Sequence, residues 1–267
     1  MSVVSLKESR QGELWRQLER VNDPELDEPV TEMGFIERAE IGAAGHVEVD
    51  FRLPTYWCSP NFAFLMLEDI RKALEALSWR PRFRITLHDH MFADEVNAGI
   101  AAGSSFADIF DALSDTCDLE AIRETFRVKA FKRRQEAVIL DLKQLGIADG
   151  EIVRMSLAAF DTLVGGSDAA RRNRARYREA LMQRWPGLGP LDAVIVMEDG
   201  RRIDVDALGA RLADLRSVRI NMEFNGALCR GLKDTRYKEL SVVDGEPTLV
   251  DFIAGRVPPR PEHSPRS

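Results

Sequence analysis

Cys58 lies in the segment Pro54-Thr55-Tyr56-Trp57-Cys58-Ser59-Pro60-Asn61, where a thiol can do chemistry. An alternating apolar run precedes it (Val47, Val49, Phe51, Leu53), and a helical pattern follows (Phe62, Leu65, Met66, Ile70, Leu74, Leu77). A thiol between a strand and a helix N-terminus sits near free backbone N–H groups and the positive end of the helix dipole. That setting favours the thiolate, the form that binds metal or attacks electrophiles. The alternative is a small buried side chain that packs as a hydrophobe. His88-Asp89-His90, holding two of the four histidines, reads as the end of a strand. Residues two apart in a strand share a face, so His88 and His90 can present two imidazoles to one metal. Asp94 and Glu95 follow within a turn. Two imidazoles, a carboxylate and a thiolate suit Fe(II) or Zn(II); a solvated strand end is the alternative. Asp23 and Glu25, flanking Pro24, can form a carboxylate pair near the thiol, or the Asp-Pro step can serve only to end a helix.

Other candidates carry less. Cys117 precedes a helix but has Asp115 and Asp118 beside it, which oppose a thiolate; Cys229 has Arg230 beside it, which favours one. The basic runs from Arg127 to Arg134 and from Arg171 to Arg178 read as solvated, ion-paired helix faces. No nucleophile elbow, phosphate loop or dinucleotide fingerprint is present. A Cys58–His88 nucleophile and base pair would make a thiol-dependent transferase or hydrolase, but no third orienting group is evident. No catalytic residue is therefore assigned.

The chain has 267 residues, 45% of them hydrophobic, and a net charge of −7. It can bury a substantial core, and its acidity argues against nucleic-acid or anionic-membrane binding. No apolar run approaches the roughly 18 residues of a membrane span, and Met1 to Glu8 lacks an apolar signal segment, so a cytoplasmic setting is expected. Three cysteines, far apart and odd in number, make neither a disulfide framework nor a Cys₄ site. Ligands for a metal must include other side chains or come from a second subunit.

The elements that would position these groups follow from periodicity. Glu13 to Val21 reads as an amphipathic helix, Gly34 to Ile41 and His46 to Leu53 as strands about the Gly42–Gly45 turn, and Arg82 to His88 as a third strand after the helix that ends at Leu77. This helix-strand-strand-helix-strand order defines a small α+β module over residues 10–91. Residues 92–190 read as helical: a long helix from Asp118 to Leu145, another over Ile152 to Leu163, and a basic one from Ser167 to Trp185. Residues 191–256 read as a strand-strand-helix-strand segment: Ala193–Met197, the Asp199-Gly200 turn, Arg201–Val205, Ala207–Leu215 and Val218–Phe224. Residues 257–267, rich in proline, read as a disordered tail.

Val21-Asn22-Asp23-Pro24-Glu25-Leu26, Met33-Gly34-Phe35-Ile36 and Pro54-Thr55-Tyr56-Trp57-Cys58, in this order of elements, resemble the PaaD/SufT-like iron–sulfur cluster assembly domain. The resemblance covers about residues 10–91. It implies a compact α/β fold and a role in maturing metal centres of client proteins, in some operons multicomponent monooxygenases. The family's recurrent features map to Asp23, Pro24, Glu25 and Cys58. In the family the Cys is usually followed directly by Pro; here Ser59 intervenes. The resulting expectation is a cytoplasmic, non-catalytic factor that transiently carries iron or an iron–sulfur cluster, with zinc as another option. Cys58, Asp23 and Glu25 hold the cargo, and Cys58, His88, His90 and Glu95 are candidate metal ligands. The expected partners are a client metalloenzyme and a second copy in a homodimer. A metal-free adaptor or chaperone for an oxygenase subunit and a small thiol-dependent enzyme are the competing readings.

Overall fold

The computed structural model describes residues 3–110 and 118–237, so Cys117 and the proline-rich tail lie outside the described residues. The chain divides into two units. The first takes residues 1–23, 27–119 and 225–267; the second takes 24–26 and 120–224.

In the first unit, helix α1 (Val3–Leu18) buries Leu14 and Leu18. Two short strands follow, β1 (Asn22–Asp23) and β2 (Glu28–Pro29), paired antiparallel. Strands β3 (Ile36–Ile41) and β4 (Val47–Arg52) form an antiparallel hairpin. Gly45, at φ +77°, closes its turn, a conformation that L side chains rarely adopt. Helix α2 (Pro60–Glu75) then crosses over to β5 (Phe83–His88), which pairs parallel with β4 in a sheet of order β3-β4-β5. A parallel neighbour requires such a crossover, because no tight turn can join two parallel strands. Val47, Val49 and Phe51 of β4 and Ile85 and Leu87 of β5 are buried, and so is the α2 stripe Ala63, Phe64, Met66, Leu67, Ile70 and Leu74. Arg38, Glu48, Asp50 and His88 alternate onto the polar face. Helix α3 (Ala93–Ala102) is pinned to β5 by Asn97, whose side-chain amide donates to the Leu87 carbonyl (3.0 Å) and accepts from its N–H (2.7 Å). The short helix α4 (Phe106–Ile109) carries a Ser105/Asp108 capping box. The expected α+β class and the order helix-strand-strand-helix-strand hold; the small β1–β2 ladder is additional.

The second unit is helical. Helix α5 (Leu119–Gln144) and helix α8 (Asp168–Arg184) match expectation closely, and Ser167 caps the latter by accepting from the Ala170 N–H. The single helix expected over Ile152 to Leu163 is instead two short ones, α6 (Asp149–Ile152) and α7 (Leu157–Asp161), because Ser156 starts a new turn by accepting from the Ala159 N–H.

The C-terminal strand-strand-helix-strand reading needs correction. Ala193–Met197 and Arg201–Val205 form no ladder: an isolated bridge joins Val196 and Arg202, and the Met197 N–H donates to the Arg201 carbonyl at 2.8 Å. Val194, Ile195 and Val196 are consecutive buried residues. Helical side chains satisfy their backbone: Tyr177 Oη donates to the Val194 carbonyl (2.6 Å) and Gln135 Nε2 to that of Val196 (2.7 Å). Val218–Phe224 is not a strand. It belongs to α9 (Leu208–Tyr237), entered through a 3₁₀ turn at Val205–Ala207. Leu208, Arg211, Leu215, Met222 and Gly226 are its buried positions, a helical spacing, while Ile220 and Phe224 are exposed.

Candidate metal-handling site

Because β4 and β5 run parallel with Arg52 opposite His88, the carboxyl ends of both strands lie together. The Cys58 turn leaves β4 there, and Asp89 and His90 leave β5 there. The region beyond the carboxyl ends of parallel strands is where α/β sheets place ligands. Ser59 is the N-cap residue of α2 and Pro60 its first residue. The inserted Ser59 therefore takes the capping position without a side-chain cap bond, leaving Cys58 one residue outside the helix. Proline suits the first helical position because its missing N–H has no intrahelical partner there.

Cys58 is half-buried and not in a disulfide. Its Sγ lies 3.0 Å from Thr55 Oγ1. Either atom can donate; when the sulfur is a thiolate, the hydroxyl is the donor. Tyr56 and Trp57, between these two residues, are exposed, Trp57 to 73%. Met91, also exposed, donates its N–H to the Tyr56 carbonyl (2.8 Å). An apolar rim of Tyr56, Trp57 and Met91 thus adjoins the thiol's turn.

The two histidines separate. Strand β5 ends at His88, because Asp89 adopts φ +54° and turns the chain out of the extended conformation. His88 stays on the polar face, its Nε2 2.9 Å from Asp50 Oδ1. Arg38 Nε donates to the other oxygen of Asp50 at 2.5 Å. Burial opposes ionisation of Asp50, but the bonds from Arg38 and His88 prevail and hold its carboxyl below the ordinary range. His90 is only 4% exposed. Its Nδ1 accepts from the Phe92 N–H (3.2 Å), so its Nε2 carries the proton and donates to the Cys58 carbonyl (2.8 Å). Burial pushes the His90 pKa below its usual value, the Cys58 carbonyl works against that, and the nearby Arg236 cation reinforces it.

The structure thus brings His90 to the backbone of Cys58 and directs His88 toward Asp50. Glu95 is exposed in the first turn of α3. Asp23 is buried in β1, with its carbonyl accepting from the Asp27 N–H (2.9 Å), and Glu25 is half-buried two residues on. Cys229 falls within α9, not after a strand. Among the described residues, no group of three or more His, Cys, Asp or Glu side chains is arranged to hold a metal ion. Sequence reasoning missed Thr55 as the partner of the thiol and Arg236 beside Asp89. A hydroxyl three residues before the Cys was the only local signal for the first.

Fold and site together define a small α+β module with one half-buried thiol beyond its parallel strands. Residues 12–83 match the family described as iron–sulfur cluster assembly protein. The match takes in Asp23, Glu25 and Cys58 but stops short of His88, His90 and Glu95, and the C-terminal extension is unrecognised. Neither curated proteins nor solved structures gave a match. The family match supports a general role in iron–sulfur cluster assembly or maturation and suggests a non-catalytic one. Among the described residues no helix is long and apolar enough to cross a membrane.

Proposed function

We propose that this protein is a maturation factor that takes iron or an iron–sulfur cluster as cargo on Cys58 and passes it to a client metalloenzyme. The observation that carries this reading is the half-buried thiol beyond the strands of a module that matches an assembly family. A carrier needs few and exchangeable ligands, since a closed four-ligand site would retain its metal. One thiolate backed by the Thr55 hydroxyl fits that need. Further ligands come from the client, from a second copy in a homodimer, or from Asp23 and Glu25. His88 joins them by leaving Asp50, and Glu95 by movement of its exposed side chain. His90 serves chiefly as a brace, because ligation by either nitrogen would cost it a bond it already makes. The rim of Tyr56, Trp57 and Met91 meets the client, and the segments 92–190 and 191–256 select it. A multicomponent monooxygenase in a cytoplasmic setting, where thiols stay reduced, is the client class that the resemblance favours.

The test is genetic. In a strain lacking this gene, the activity and iron content of the cell's iron–sulfur enzymes and iron-dependent oxygenases are measured after complementation with wild type or Cys58→Ser. Restoration by wild type and failure of Cys58→Ser, with both proteins at equal abundance, supports the proposal. Full restoration by Cys58→Ser contradicts it and leaves the metal-free adaptor.

A further inference from the structure

We propose that Arg236, in the C-terminal extension, is a positioning residue for the Cys58 turn. The inference rests on the reading of Cys58 as the working group and adds a link between that group and a helix far outside the family match. Residues 225–237 of α9 belong to the same unit as the module. Arg230, Lys233 and Arg236 are spaced three apart, so they form one stripe along the helix. Arg230 Nη1 donates to Glu28 Oε2 at 2.5 Å and approaches Met33 Sδ at 3.3 Å. Lys233 Nζ lies over Gly34, 3.2 Å from where a Cβ would stand, and Gly34 itself has φ +67°. Arg236 Nη2 donates to Asp89 Oδ2 at 2.6 Å and to the Asp89 carbonyl at 3.4 Å.

Asp89 is where this contact gains consequence. Its backbone is left-handed (φ +54°), a conformation that aspartate adopts more readily than most residues other than glycine, and the contacts around it fix it there. The residues after it carry both bonds to the thiol's turn: His90 to the Cys58 carbonyl and Met91 to the Tyr56 carbonyl. Arg52, 3.8 Å from the Asp89 carboxylate, adds support from β4. Arg236 grips both the carboxylate and the carbonyl of the residue that directs the chain toward Cys58. Releasing that grip frees Asp89 to relax, which loosens the bonds to Tyr56 and Cys58 and uncovers the thiol.

The experiment uses the full chain, metal-free, with Cys117→Ser and Cys229→Ser so that Cys58 is the single thiol. The second-order rate of its alkylation by iodoacetamide is measured in native protein at one fixed pH. Arg236→Ala is expected to raise the rate by about 3- to 10-fold, the scale of losing one local contact. Arg236→Lys, which keeps the cation, is expected to restore most of the protection. Arg230→Ala removes a contact of the same helix stripe without touching Asp89, and is expected to leave the rate unchanged. An unchanged rate in Arg236→Ala overturns the proposal. So does equal acceleration by Arg230→Ala, which would assign the effect to docking of the helix as a whole. The readout needs no metal, so failure of this link and failure of the cargo role are seen separately. Should Cys58→Ser still support client maturation while Arg236→Ala speeds alkylation, the positioning role stands and the cargo reading falls.

Discussion

His90 shows how one residue's surroundings decide its role. Its Nδ1 takes the Phe92 N–H and its Nε2 proton goes to the Cys58 carbonyl, so the folded protein holds the ring neutral. Its pKa lies below the ordinary 6.5, with burial as the main cause. Between that lowered value and 6.5 the unfolded chain binds a proton that the folded chain does not, so stability must fall as pH drops below 6.5. Above 6.5 both states are neutral at this site and the contribution is flat. Urea unfolding midpoints across this range should decline for wild type, and His90→Gln should flatten the part due to this residue. An unchanged slope in the variant would remove His90 from that account. In the sequence, His88-Asp89-His90 read as a shared strand face; the positive φ of Asp89 is what separates the rings, and nothing in a three-residue pattern marks it. The family resemblance rests on Cys58, Asp23 and Glu25, whose residue types and spacing the sequence displays. Arg236 was not legible, because its partner is remote in sequence and a lone arginine on a helix has no pattern.

At the level of elements, α9 is the main revision. Val218, Ile220, Met222 and Phe224 alternate as a strand would, yet burial follows Leu208, Leu215 and Met222 at seven-residue intervals. Two substitutions separate these geometries. Met222→Ala should cost about 2–4 kcal/mol as a buried large-to-small change, whereas Ile220→Lys, at an exposed position, should stay within about 0.5 kcal/mol. A strand with all four residues facing the core would make Ile220→Lys at least as damaging; denaturant unfolding of both variants decides. The first module was far more legible, because β4 and β5 alternate cleanly and the glycine turn is unambiguous. The sheet order was not: individual periodicities do not say which strands are neighbours, and it is the parallel β4–β5 pairing that sets Cys58 beside His90.

On the scale of the whole molecule, the chain joins a sheet module with a local chemical site to a helical unit held by its own polar core. Tyr177 is fully buried, with its phenol pushed well above its usual pKa by desolvation. It accepts from Gln135 Nε2 (2.9 Å) and donates to Val194, while Gln135 accepts from Arg211 Nε (2.9 Å). Tyr177→Phe leaves the buried Val194 carbonyl without that donor and should cost about 1–3 kcal/mol in denaturant unfolding. The buried pair of Arg174 and Asp141, 2.6 Å apart, should prove costlier to break: Asp141→Ala strands a buried guanidinium, an expected loss of about 3–5 kcal/mol. Neither variant should alter Cys58 chemistry in molecules that remain folded, because both act within the helical unit's own core. The cargo role itself is tested most directly by anaerobic reconstitution of the full chain with ferrous iron and sulfide, followed by desalting and measurement of bound iron. Wild type should retain iron and release it to a competing chelator, and Cys58→Ser should retain little. Equal iron retention by Cys58→Ser would contradict the assignment of Cys58 as the cargo-binding thiolate.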